Sequence, residues 1–196
     1  MIVRVMLPTM MCLVVSLCTV RSEDRPRLKV LGSKALPAIT SVEVFATDSR
    51  RLPAGKSRPI VSIKELGKEI VLPDSGPLAV VVHPKNGERV LAVSRLSIRA
   101  GTTFSLKLAD VLGSVDVFRA DDFPRVKSIV LTKPDDPGPD EKGHERLQSV
   151  TDYRIELLVP EGFYSVWLVP ENGARAKRVA DRIRVHAGRS ITVGKE

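Results

Sequence analysis

The side chains of this chain that could do chemistry are few, and their spacing argues against most reactions. The histidines are His83, His144 and His186. A zinc site needs imidazoles or carboxylates converging on one point. No two of these histidines stand two or four residues apart, so they read as surface groups. Asp135, Asp136, Asp140 and Glu141 crowd one stretch, "TKPDDPGPDEKGHE", at 132–145. Binding a hard cation takes oxygens fixed on a turn. The stretch carries Pro134, Pro137 and Pro139 and lacks EF-hand spacing, so it is expected to be a flexible acidic insert. "AGKS" at 54–57 resembles the end of a phosphate-binding loop, but Arg50 stands where the leading glycine is needed and Pro59 blocks the following helix. No Gly-x-Ser-x-Gly elbow anchors a nucleophile. The expectation is a protein without catalysis, metal or cofactor.

The basic residues are more informative. In "RLSIRAG" Leu96 and Ile98 alternate with Arg95, Ser97 and Arg99. In "RIRVHAG" Ile183 and Val185 alternate with Arg182, Arg184 and His186. Such alternation marks strands with one apolar and one basic face. Arg175, Lys177 and Arg178 add charge beside the second of them. In "YSVWLV" Val166 and Leu168 point one way and Trp167 the other, where it serves packing or stacks on a sugar. Arg175, Lys177, Arg182, Arg184 and Trp167 are therefore the candidate ligand-binding set. Its partner is an anionic polysaccharide or an envelope protein. The competing reading is a solvated sheet face whose charge protects an edge. Aromatic residues make up 4% of the chain, too few for a platform on which nucleobases stack, and no specific nucleic acid is expected.

These strands belong to a phrase written twice. "LPDSGPLAVVVHPKNGER" at 72–89 matches "LVPEGFYSVWLVPENGAR" at 158–175 through Gly76 and Gly162, Pro84 and Pro170, and Asn86-Gly87 and Asn172-Gly173, each pair 86 apart. Further on, Ala100-Gly101 matches Ala187-Gly188, now 87 apart. "SVEVFATD" at 41–48 matches "SVDVFRAD" at 114–121 at an offset of 73, which demands 13 extra residues in the second copy, assigned to 132–145. Ordered matches in three segments indicate an internal duplication. Each Asn-Gly predicts a type I′ hairpin turn. "IKELGKEI" at 63–70 permits one helical turn at most. About six or seven short strands per copy is the count for a small sandwich. The fold class expected is all-β, two tandem antiparallel β-sandwich modules of the prealbumin or immunoglobulin type. One larger sandwich built from two half-copies is the alternative.

"LVPEGFYSVWLVPENG…DRIRVHAGRSITV" resembles the C-terminal half of transthyretin-like and carboxypeptidase-regulatory-like sandwiches. Their pattern runs Leu-x-Pro-x-Gly-x-Tyr, an alternating strand, a turn, then Val-x-Val-x-x-Gly. Gly162, Tyr164, Val166, Gly173, Val185 and Gly188 match it; the first copy departs with Leu78 in place of the Tyr. The resemblance implies a non-catalytic accessory or binding module. Relatives that hydrolyse 5-hydroxyisourate end in Tyr-Arg-Gly-Ser, and this chain ends "ITVGKE".

The first residues set the compartment. Arg4 precedes an apolar run from Val5 to Val20, short for a membrane span and suited to a secretory signal. Cleavage is placed after Ser22, with Cys18 as a second site and an uncleaved anchor as the alternative. Cys12 and Cys18 both lie in this leader. The mature chain then has no disulfide, as suits a bacterial envelope, and no membrane span. The leader holds Arg4 and Arg21 and no acid, so the net charge of +8 becomes +6 once it is removed, a bias towards anionic neighbours. The organisation expected is a signal peptide at 1–22, a linker at 23–39, one module at 40–110 and a second at 111–196. The protein is expected to be exported, to the periplasm, cell surface or medium, and to act there in adhesion, as a scaffold or as an accessory.

Overall fold

The computed structural model describes residues 24–46, 57–73 and 76–194. The leader, with both cysteines and its cleavage sites, lies outside the described residues. Two β-sandwiches follow one another along the chain. The first is built from β1 (Arg27–Leu31), β2 (Ile39–Phe45), β3 (Val61–Ile63), β4 (Glu69–Val71), β5 (Leu78–Pro84), β6 (Val90–Leu96) and β7 (Thr103–Lys107). The second comprises β8 (Leu112–Val117), β9 (Val126–Thr132), β10 (Gln148–Val150), β11 (Leu157–Pro160), β12 (Gly162–Pro170), β13 (Lys177–Val185) and β14 (Ser190–Val193).

Strand order is the same in both. A sheet ordered β4-β1-β7 faces one ordered β3-β2-β5-β6, and β11-β8-β14 faces β10-β9-β12-β13. The pairing is antiparallel except that β1 runs parallel to β7 and β8 parallel to β14. Alternating apolar residues fill each interior. Leu28, Val30, Val42, Val44, Val80 and Val82 meet in the first core. Val115, Val117, Ile129, Leu131, Val166 and Leu168 meet in the second.

The pairings match the two sandwiches differently from the alignment of the sequence. Arg27 is opposite Val71 and Thr103, and Ser114 is opposite Leu158 and Ser190. Val42 is opposite Ile63 and Val82, and Ile129 is opposite Val150 and Leu168. Equivalent residues are thus 87 apart in every strand except the β5–β12 pair, where they are 86 apart. "SVEVF" lies in β2 and the "SVDV" of "SVDVF" in β8, the counterpart of β1, so the offset of 73 joined strands that are not equivalent. A short run of alternating valines fits any strand of such a sandwich, which is why it misled. The insertion vanishes with it: β2–β3 and β9–β10 are both joined by fifteen residues, 46–60 and 133–147.

Two other expectations change. Residues 23–39 are more than a linker, since they contain β1, the central strand of its sheet. Gly87 and Gly173 take positive φ of 87° and 73°, but Asn86 and Asn172 do not, so the turns are not type I′. Five and six residues, 85–89 and 171–176, make these connections.

The modules are joined without slack. β7 passes through a single 3-10 turn, Leu108–Asp110, into β8. Leu157 points into the second core, while its neighbour Leu158 and also Leu112 pack in the first. Beside them Glu88 donates its N–H to Gln148 Oε1 at 3.0 Å and accepts from Gln148 Nε2 at 2.8 Å. Arg146 pairs with Glu88 at 2.7 Å.

Gly113 sits where β8 meets the β13–β14 turn. A Cβ there would lie 2.4 Å from the His186 carbonyl oxygen and 2.9 Å from that of Arg189. Backbone cannot yield as a side chain can, so Gly113→Ala should destabilise the protein by roughly 3 kcal/mol. Urea unfolding checks this; a loss below ~0.5 kcal/mol would show that β8 and the turn separate freely.

Candidate functional site

The outer face of the second module's four-stranded sheet gathers most of the candidate residues. β12 sends Val166 and Leu168 inward and Trp167 outward, as alternation predicts. Trp167 is half-buried, and its indole N–H donates to Thr132 Oγ1 at 3.1 Å. The Arg178 guanidinium lies 5.3 Å from the ring centroid. Gly138, in the 133–147 connection, packs so closely on the ring that a Cβ would fall 2.6 Å from it.

That connection was expected to be a flexible insert, and it is fastened to the sheet. Asp136 accepts the N–H groups of Gly138 at 2.9 Å and Glu145 at 2.6 Å, folding the loop on itself. Asp140 accepts the Ala176 N–H at 2.6 Å, and Asp135 pairs with Arg182 at 2.9 Å. Pro137, Asp140, Glu141, Trp167, Arg175 and Ala176 enclose a concavity of ≈ 190 Å³. Trp167 and Arg175 are therefore brought together, and the acidic loop stands over both.

The other three candidates are distributed along β13. Lys177 turns to the end of the sandwich, 3.3 Å from Asp122 and 5.8 Å from the Phe123 ring centroid. Arg184 projects outward over Phe163, 5.8 Å from its ring centroid. Arg182 falls in a bulge, with φ 51°, where β13 places Asp181 and Arg182 against Ser165 of β12. The bulge interrupts the alternation between Ala180 and Ile183. β6 has the same irregularities against β5.

The shifted titrations have structural causes. The Ser165 hydroxyl, donating at 2.6 Å, with Arg178 and Arg182 beyond it, holds the Asp181 carboxyl below its usual range. Burial raises Tyr164, whose hydroxyl donates to the Pro160 carbonyl at 2.7 Å. Burial raises Tyr153 as well, and its hydroxyl donates to the Pro124 carbonyl at 2.8 Å. Burial first, and the Glu156 charge second, raise Asp116. His83 meets Glu43 at 2.9 Å and His186 meets Glu161 at 3.5 Å. Among the described residues no three His, Cys, Asp or Glu side chains converge as metal ligands. No helix among them is long and apolar enough to cross a membrane.

Sequence reasoning missed two features. A cleft of ≈ 560 Å³ opens between the modules, with Val90, Leu91, Leu147, Val159 and Pro160 on its walls and Arg89, Lys133 and Arg146 at its polar sites. Its residues come from four separate segments, so no local signal could reveal it. Arg27, Lys29 and Lys107 share the outer side of β1 and β7, with Lys29 opposite Ser105 and Lys107 opposite Leu31. The alternation in "RLKVL" is legible, but the stretch has no hairpin neighbour in sequence to mark it as a strand.

No family model and no curated protein matches the chain. Among solved structures it is similar to the Bacillus anthracis TIE protein, at 12% identity and TM-score 0.28, over 87% of this chain and 33% of that one. It is also similar to a leucine-rich repeat protein from Bacteroides thetaiotaomicron, at 11% identity and TM-score 0.24, over 87% of this chain and 26% of that one. The chain thus spans about a third and a quarter of these structures. Likeness at this level carries no inference of fold or function.

Trp167 is the chain's single tryptophan, so its fluorescence reports on the loop above it. Gly138 has φ 106° as well as the contact with the ring. Gly138→Ala should therefore lift the loop, shift the emission to the red and increase acrylamide quenching, at a cost of about 1 kcal/mol. Unchanged quenching would mean that Gly138 does not hold the loop against Trp167.

Proposed function

We propose that this protein is an exported, non-catalytic scaffold, adhesion or accessory protein of a bacterial cell envelope, built from transthyretin-like modules. The observation that carries this reading is the join between modules. β7 enters β8 through one 3-10 turn, and Leu112 and Leu158 pack in the first core. Such a join holds two sandwiches in a set orientation, as a spacer or presenter of surfaces requires. The module type is supported by the bond from the Tyr164 hydroxyl to the Pro160 carbonyl, which spans the Leu-x-Pro-x-Gly-x-Tyr motif. Export is supported by the basic and apolar leader. Expressed in a secreting bacterial host, the protein should be recovered outside the cytoplasm with its N-terminus at Glu23. Mass spectrometry that finds Met1 intact on a cytoplasmic product overturns the export reading.

A second reading is a binding module for an anionic polysaccharide or other polyanion. It is favoured by the exposure of Arg175, Lys177, Arg182 and Arg184 along and beside an edge strand. The Arg182 and Asp135 side chains are 68% and 86% exposed, so that ion pair is weak and gives way to a multivalent anion. Retention on immobilised heparin should fall steeply with salt, as each neutralised charge releases counterions. Arg182→Ala with Arg184→Ala should lower the eluting salt concentration and flatten the salt slope by roughly two charges. Unchanged elution removes this reading and leaves the scaffold.

A further inference from the structure

The concavity of ≈ 190 Å³ between the 133–147 connection and the outer face of the second module is bordered by charged groups that have no partner. Asp140 Oδ2 accepts the Ala176 N–H at 2.6 Å, and its Oδ1 is unpartnered among the described residues. The Glu141 carboxylate and the Arg175 guanidinium are likewise unpartnered among the described residues. They differ in this from Lys177, Arg178 and Arg182, each of which meets an aspartate. The walls are held in place. Asp136 folds the loop by accepting the Gly138 and Glu145 N–H groups. Gly138 lies on the six-membered ring of the Trp167 indole, and Pro137 and Pro139 restrict the backbone on either side of it. The first module has Val81 at the position of Trp167, so the aromatic wall belongs to the second module alone.

We propose that this pocket is a subsite for one pyranose ring of a neutral saccharide. Its charges are of mixed sign. An anion that meets Arg175 also meets two carboxylates, and a cation that meets those also meets the guanidinium. A sugar hydroxyl is donor and acceptor at once. Neighbouring hydroxyls of one ring therefore donate to Asp140 or Glu141 and accept from Arg175. Hydrogen bonds to charged partners are the stronger kind. Trp167 supplies the apolar contact. Gly138 and Arg178 lie against its ring, so the C–H groups of a sugar meet the remaining edge rather than a whole face. The volume falls below the roughly 300 Å³ at which pockets for drug-sized ligands begin, and so suits one ring. The rest of the saccharide extends into solvent. The pocket shares Arg175 and Trp167 with the polyanion reading but does not rest on it, because it uses neither Arg182 nor Arg184.

The test titrates the protein with soluble tetrasaccharides of glucose, N-acetylglucosamine, mannose and galactose, read by Trp167 emission and by calorimetry. At least one should bind saturably, with an affinity that added salt leaves unchanged. Glu141→Gln and Arg175→Gln alter exposed side chains and should keep the fold, as circular dichroism checks. Each should weaken that binding about tenfold. Gly138→Ala, which lifts the loop, should abolish it. Arg182→Ala with Arg184→Ala should leave it as it is, whatever that variant does on heparin. Saturable binding of none of the tetrasaccharides overturns the proposal. So does binding that falls steeply with salt, or that survives both Glu141→Gln and Arg175→Gln at full strength. Binding of free lysine or glutamate with none of the saccharides would make the pocket a zwitterion site and overturns it as well. Retention on heparin is measured separately, so the polyanion reading stands or falls by its own result.

Discussion

Leu112 and Leu158 govern the architecture more than any other residues. Both belong by sequence to the second sandwich, and both pack in the core of the first. Period-2 alternation makes this possible, because Leu157 can fill its own module while Leu158 reaches the neighbour. With no cysteine among residues 23–196, neither module has a disulfide to offset its small core. The joint supplies apolar burial that a lone module of this size would lack. It also orders the polar groups beside it. Gln148, 1% exposed, can be buried because both ends of its amide are satisfied by the backbone of Glu88. The cleft beside the joint and the orientation of the sheets follow from this one contact.

Much of the fold was legible in the sequence, and the failures have physical causes. The repeated Pro, Asn-Gly and Ala-Gly positions located β5, β6 and β7 and their partners, because turns restrict residue type strongly. Alternation identified strands but not which strand, since a sandwich uses the same inward valines everywhere. Hence β2 was matched to β8. The parallel pairing of β1 with β7 joins the first and last strands of a module, a relation with no local signature. The first strand stands alone, with no hairpin partner next to it in sequence, so its residues read as a linker.

The candidate site was legible in composition and not in placement. Alternation correctly put Trp167 on the outer face and Val166 and Leu168 inside. It read β13 as an unbroken strand. The bulge at Asp181 and Arg182 cannot be read from a run that has no glycine to mark it. The acidic connection looked unstructured because its prolines and acids form no periodic pattern. Its order comes from partners distant in sequence: Trp167 under Gly138, Ala176 beside Asp140, and Arg182 beside Asp135. Asp136 and Asp140 accept backbone N–H groups and Asp135 meets an arginine, so these acids spread over several partners.

The two outer sheet faces show where the modules diverge. In the first, Phe45, Ala79 and Val81 are buried with Leu91 against them. The equivalent positions in the second are Thr132, Ser165, Trp167 and Arg178. Thr132 and Ser165 are fully buried, yet each has its partner: the Trp167 indole for one and the Asp181 carboxylate for the other. Apolar contacts in one module are thus replaced by a hydrogen-bonded set in the other. A buried polar set tolerates little displacement, because each group left without its partner costs about 1–3 kcal/mol. It fixes Trp167, Arg178 and the loop above them in one arrangement, where an apolar patch would tolerate several. Such precision is not needed to hold the sandwich together, since the first module manages with Phe45, Ala79 and Val81. The second module's outer face, rather than its core, is where this sequence has been specialised.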